Sequence, residues 1–154
     1  MTTRVTPRRR GIAVAFLLLA SLMWSGIATD QAEAGAKADR SQMLRLTNED
    51  RADRNRDGLD LDAKLSRYAI RHSREMARAG YLFHSEDLAD VLDDVDWSLG
   101  GENVGVGSSL ADLEAAFMAS KPHRRNILEQ DFENAAIGVV KSDGNFWVTV
   151  IFYG

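Results

Sequence analysis

The chain has 154 residues, 45% of them hydrophobic and 27% charged, with a formal net charge of −4 and no cysteine. An acidic balance argues against nucleic acid as a partner, because binding a phosphate backbone relies on basic side chains that displace its counterions. Without cysteine there is no disulfide framework, no thiol nucleophile and no Cys-based zinc site, so an apolar core must hold the fold.

The chain opens like an export signal. Arg8-Arg9-Arg10 precedes an apolar run from Ile12 to Ile27, and small residues follow. Ala32-Glu33-Ala34 and Ala34-Gly35-Ala36 both satisfy the cleavage rule, and Gly26-Ile27-Ala28 is a third choice. The apolar run is shorter than the ~20 residues that cross a bilayer comfortably. A cleaved signal over residues 1–34 is therefore expected rather than an anchor, which places the mature protein outside the cell or in its envelope with no membrane span. Residues 35–40 are small and polar and read as a linker, and residues 41–154 suffice for one domain with a single core.

Ser41 to Asn55, with apolar Met43, Leu44, Leu46 and Ala52, reads as a helix ended by Asp57-Gly58. From Asp62, a good N-cap, Leu65, Ala69, His72, Met76 and Ala79 recur at steps of four and three, which predicts an amphipathic helix closed by Gly80. Its other face carries Arg67, Arg71, Arg74 and Arg78, read as a solvated stripe. Ser85 to Gly100 is acidic around Leu88, Val91, Leu92 and Trp97, a short helix and a loop whose apolar residues either form an edge for lipid or cover the core. Ser109 caps a helix through Leu110, Leu113, Ala116 and Phe117, and Pro122 stops it near Ser120 by disfavouring a helical Lys121. Ile137–Val140 and Phe146–Tyr153 are β-branched and aromatic, and Ser142-Asp143-Gly144-Asn145 between them predicts a hairpin. Helices first and strands last give an α+β domain.

Two motifs do not carry through. Asp53-Arg54-Asn55-Arg56-Asp57-Gly58 matches the first half of an EF-hand loop, but Lys64 stands where the bidentate acid belongs and Asp60 where an aliphatic residue belongs. Gly105-Val106-Gly107 has Leu110 in place of a third glycine, so it is not a dinucleotide loop. His72 lies on the apolar stripe of its helix and reads as a core histidine.

Three separated motifs hold the chemistry: Phe83-His84-Ser85, Gly101-Glu102-Asn103 and the segment Ser120 to Leu128, which contains His123. Imidazole titrates near neutrality and binds metals, so two histidines and a carboxylate brought together make either an open metal site or an acid/base pair. Glu102, if buried, must be paired by imidazole, a metal or backbone N–H groups. His84 is expected to face inward beside aromatic groups, as ligand or as packing. Ser120, three residues before His123, reads as a cap of the Pro122 turn rather than as a nucleophile. Asn126 is expected to bond backbone and hold the segment, and Arg124 and Arg125 to pair with the acidic loop.

These motifs, with Asn48, Arg51, Gly58-Leu59-Asp60-Leu61 and His72-Ser73-Arg74-Glu75-Met76-Ala77, resemble the CAP superfamily of cysteine-rich secretory, antigen 5 and pathogenesis-related proteins, in its short bacterial branch. The resemblance covers residues 41–154 and implies an α-β-α sandwich with a central antiparallel sheet and a cleft lined by two histidines and two acids. On this match His84 and His123 are the cleft histidines and Glu102 the first acid. Phe117 and Ser120 stand where other branches carry a tryptophan and the second glutamate. The resulting expectation is a secreted binding module for a divalent metal (His84, His123 and Glu102 around zinc) or for a small lipid or envelope ligand. The alternative is a zinc-dependent hydrolase with Glu102 as base to a bound water, weakened by the absence of the zinc-protease helix motif.

Overall fold

The computed structural model describes the backbone of residues 15–154 and, from residue 33 on, their side chains. Residues 1–14 of the export segment expected over residues 1–34 lie outside the described residues, among which no helix is long and apolar enough to cross a membrane. The chain divides into two units, Met1–Gly35 and Ala36–Gly154. In the first, the described backbone is helical, and everything that positions a site lies in the second.

The first helix, α1, is Ala15–Ala52. Residues 35–40, expected as a linker, are helical here, and Asp39 pairs with Lys141 at 2.9 Å. Met43, Thr47 and Arg51, four residues apart and fully buried, form the inward stripe of α1, whereas Ala52 is exposed. The helix stops at a turn with Asn55 in the left-handed region (φ 55°), a conformation Asn tolerates better than most residues. This turn occupies the calcium-like half-motif. Beyond it Asn48 accepts from the Leu59 N–H at 2.8 Å and donates to the Leu59 carbonyl at 3.1 Å, aligning the two-residue strand β1 (Asp60–Leu61).

Helix α2 (Ser66–Ala79) starts after a turn in which Asp62 accepts from the Leu65 N–H at 2.8 Å, and it ends at Gly80 with φ 76°. A short helix α3 (Leu88–Leu92) is capped by Asp87. Strand β2 (Gly100–Gly107) leads to α4 (Leu110–Ala119), capped by Ser109, then to α5 (Lys121–Ile127) and the hairpin β3 (Asn134–Ser142) and β4 (Asn145–Tyr153). The sheet order is β1-β3-β4-β2, antiparallel except for β1, which pairs parallel with β3.

Alternation along the hairpin divides the core into two layers. Ile137, Val139, Val148, Val150 and Phe152 face α1, α4 and α5 with Met43, Leu110, Leu113, Phe117 and Ile127. Ala136, Ile151 and Tyr153 face α2 and α3 with Ala69 and Leu92. Gly138 is required because α2 lies directly on β3, and a Cβ there would stand 2.1 Å from the Ala69 carbonyl carbon. The sheet is thus covered on both faces, the sandwich expected from the sequence. Of the residues considered as an apolar edge for lipid, Leu92 is buried in the second core layer and Leu88 and Val91 pack partly against it, whereas Trp97 is exposed.

Candidate functional site

Strand β2 forms an edge of the sheet, and adjacent residues in it hold the two histidine segments from opposite faces. Glu102 stands opposite Ile151 and Asn103 opposite Val150. Directly opposed residues in an antiparallel pair share a face, so Glu102 lies on the α2/α3 side and Asn103 on the α1/α4/α5 side. Glycines on the latter side let the helices close in. A Cβ at Gly105 would stand 2.8 Å from Leu113 and 2.9 Å from Phe117, and one at Gly101 would stand 3.1 Å from Asn126.

On the first side the loop after α2 brings His84 and Ser85 to Glu102. His72, buried as expected, donates from Nε2 to the Phe83 carbonyl at 2.9 Å and meets the Phe83 ring edge-on, which fixes the backbone just before His84. The Glu102 carboxylate then accepts three bonds: His84 Nδ1–H at 2.7 Å and the Ser85 N–H at 3.0 Å on Oε1, and the Ser85 hydroxyl at 2.6 Å on Oε2. Tyr68 on α2 donates in turn to the Ser85 Oγ at 3.1 Å. The Glu102 side chain is 5% exposed and that of His84 60%. The buried acid therefore holds one nitrogen of a ring whose other nitrogen is turned outward. His84, expected to face inward, is exposed.

On the other side Asn103 Nδ2 donates to the His123 carbonyl at 3.1 Å, and Asn126 Nδ2 bonds both the Glu102 carbonyl, at 3.2 Å, and Asn103 Oδ1, at 2.9 Å. The backbone role expected of Asn126 is present. The half-buried His123 ring meets Phe117 edge-on with centroids 5.0 Å apart. Its pKa is lowered from the ordinary value, first by burial and then by the nearby His84. Both effects favour the neutral imidazole, the form that donates a lone pair to a metal.

Among the described residues no three His, Asp or Glu side chains gather as a metal site. Glu102, expected as third ligand or as base, has both oxygens engaged by His84 and Ser85. Ser120 is the N-cap residue of α5 without a side-chain hydrogen bond, so its hydroxyl is neither cap nor activated nucleophile. Arg124, expected to pair with the acidic loop, donates instead to the Met118 carbonyl at 2.7 Å. Ser85 and Tyr68 were missed as members of the site. Ser85 stands within the Phe83-His84-Ser85 motif, but nothing local in the sequence links Tyr68 to it.

An open groove of about 790 Å³ lies between α2 and residues 83–95, with His84 among its walls. Arg67, Tyr68 and Arg71 form one wall, and Glu86, Asp87 and Asp90 lie on the other. Leu65, Phe83, Val91 and Val95 add apolar surface between these charges.

The model of the CAP family, described as the cysteine-rich secretory protein family, matches residues 44–152. The protein YkwD of Bacillus subtilis is 29% identical over 126 residues, covering 77% of this chain and 49% of its own length. An extracellular protein of Bacillus anthracis that contains an SCP domain has a solved structure with TM-score 0.66 and 28% identity, covering 77% of this chain and 41% of that one. An outer surface protein of Borrelia burgdorferi, 19% identical, shares the fold with TM-score 0.66 over 77% of this chain and 93% of its own. The chain thus spans about half of YkwD and two fifths of the anthracis protein.

Proposed function

Because this chain belongs to the cysteine-rich secretory protein (CAP) family, we propose that it is an exported binding module whose cleft takes up a divalent metal ion, zinc by donor chemistry, on His84 and His123. The observation that carries this reading is the His84–Glu102 pair. A carboxylate can only accept, so the proton sits on His84 Nδ1 and, in the neutral ring, the lone pair sits on the outward Nε2. A carboxylate behind a histidine fixes its tautomer and ring orientation, the usual support for a metal-ligating imidazole. His123, with its proton affinity lowered, would supply the second nitrogen.

Two imidazoles fit zinc as an open site completed by water or by a ligand's own donors. A metal there would serve to bridge the module to that ligand, and Glu102 would act behind His84 rather than on the metal. The same three bonds weigh against the hydrolase alternative, because they hold both carboxylate oxygens on His84 and Ser85 rather than directing one to a bound water. Export is supported by the Arg8–Arg10 start with its apolar run, and by the extracellular and outer-surface character of the anthracis and Borrelia proteins.

Calorimetric titration of zinc into the chain from Gly35 onward tests the reading. Micromolar binding at about pH 7.5 that weakens at about pH 5.5, where imidazole protonates, and that is lost in both His84→Ala and His123→Ala is the expected result. Absence of binding at either pH would sink it.

A further inference from the structure

We infer that a second cavity, which shares no lining residue with the groove beside α2 and is lined by Arg56, Lys121, Arg124 and Arg125, is a binding site for a phosphate-bearing anion. It measures about 610 Å³ and its walls carry four cations and a single carboxylate, Glu129. In a chain with a net charge of −4, this concentration of positive charge is a local feature that composition does not supply.

The charge is also uncompensated. Glu129 turns its Oε1 to its own backbone, accepting from the Gln130 N–H at 2.8 Å and the Asp131 N–H at 3.5 Å. None of the ion pairs among the described residues includes Arg56, Lys121, Arg124 or Arg125. The charge of Arg56 is also felt at the buried Arg51, whose pKa is lowered first by burial and then by Arg56, with Asp57 and Glu129 opposing.

Two of the guanidinium groups are already held in place. Arg56 donates from Nε to the Leu128 carbonyl at 2.9 Å, and Arg124 from one terminal nitrogen to the Met118 carbonyl at 2.7 Å. Each anchor uses one edge of the fork and leaves further N–H groups for a ligand, so part of the ordering entropy is met before binding. Lys121 and Arg125 are exposed and add charge that can adapt. A guanidinium fork matches phosphate oxygens in pairs. Four cations around one concavity exceed what a single carboxylate would neutralise, whereas a multiply charged phosphate compound or a cluster of lipid phosphates meets them. The source is either a soluble phosphate compound or the headgroup of an anionic lipid.

The test is calorimetric titration of inorganic tripolyphosphate into the full chain at low salt, with flotation on phosphatidylglycerol/phosphatidylcholine vesicles as a second arm. Tripolyphosphate should bind with Kd below about 1 mM, and the double variant Lys121→Gln/Arg125→Gln should weaken binding by about tenfold or more with an unchanged melting temperature. The charge-conserving Lys121→Arg/Arg125→Lys should retain it. Vesicle binding that tripolyphosphate displaces identifies the headgroup as the source, and tripolyphosphate binding without vesicle binding identifies a soluble one. Three results would overturn the inference: no tripolyphosphate binding up to about 10 mM, equal affinity in the Gln double variant, or citrate binding as well as tripolyphosphate.

Discussion

Arg51 and Glu102 are both buried charges that hold loops in place, yet they are used in opposite ways. Arg51 is fully buried and donates to the carbonyls of Asp57, Ile127, Glu129 and Phe132 at 2.7 to 3.0 Å. All its partners are backbone, and they tie the turn after α1 to the segment between α5 and β3. Glu102 also engages both its oxygens, but one partner is an imidazole with 60% of its side chain in solvent. Desolvation opposes both groups. In Arg51 the compensation ends inside the protein, whereas in Glu102 it ends on a donor atom facing outward. Where the chain of bonds from a buried charge terminates therefore separates a structural group from one that can serve a ligand.

The largest expected effect tests the structural half. Arg51→Met should destabilise the fold by about 3–5 kcal/mol, because several buried carbonyls lose their only charged donor. Arg51→Lys should rescue little, since one ammonium cannot span carbonyls drawn from Asp57 to Phe132. Denaturant unfolding measures both, and zinc affinity of the fraction still folded should be unchanged. Stability equal to the parent chain would mean that a saturated buried charge is no mark of a structural role.

Glu114 sharpens the comparison as a buried charge satisfied in neither way. It is 2% exposed on α4, and both its oxygens lack a hydrogen-bond partner among the described residues. Burial first, then the charge of Asp50, raise its pKa from 4.5 to about 7, and the Thr47 hydroxyl, itself without a hydrogen-bond partner among the described residues, offsets this only in small part. A carboxyl with a raised folded pKa holds its proton longer in the folded state than in the unfolded one. Its penalty is absent below pH 4.5, grows as pH rises from 4.5 to about 7, and is complete above that. Glu114→Gln should accordingly stabilise the fold by about 1–3 kcal/mol at alkaline pH and by almost nothing at about pH 4. Melting curves across that range check the slope, and a gain independent of pH would show that the carboxyl does not titrate with folding.

What could be read in the sequence follows from how local each signal is. The α2 stripe up to Gly80, the Ser109 cap, the stop at Ser120 and the β3–β4 hairpin rest on periodicity and turn chemistry and are present. However, α2 begins at Ser66 with Leu65 rather than Asp62 at its N-cap, and Lys121 is helical as the first residue of α5, so Pro122 opens that helix instead of keeping Lys121 out of one. Strand β2 has no such signal from its residues. Gly100, Gly101, Gly105 and Gly107 are poor strand formers, and the segment is extended because it pairs with β4 along its whole length while Leu113 and Phe117 press on Gly105. The site divides in the same way. His84, Glu102 and His123 stand out by residue type, but the bond to Glu102 Oε2 comes from Ser85, whose Oγ in turn accepts from Tyr68. Those two lie 17 positions apart in the chain and meet only when α2 is docked. Arg51 could be quoted as a motif residue, but its four carbonyl partners lie six to 81 positions away.

The outward half of the comparison is tested by shortening the chain of bonds behind His84 one link at a time. Glu102→Gln keeps the shape and removes the charge, so it should weaken zinc binding by about 10–100-fold with a smaller effect on stability, the reverse of Arg51→Met. Ser85→Ala removes the hydroxyl from Oε2 but leaves the His84 and Ser85 N–H bonds to Oε1, so its effect should be smaller. Tyr68→Phe is the most distant change. It deletes a 3.1 Å bond to the Ser85 Oγ, whose own proton still reaches Glu102 at 2.6 Å, and it should change zinc affinity by only a few-fold, within about 1 kcal/mol. A monotonic series, read by calorimetry beside unchanged melting temperatures, would establish that the buried bonds act through His84. If Tyr68→Phe instead matched Glu102→Gln, the tyrosine would be acting on the ligand directly from the wall of the groove, and the outward donor would not be the imidazole alone.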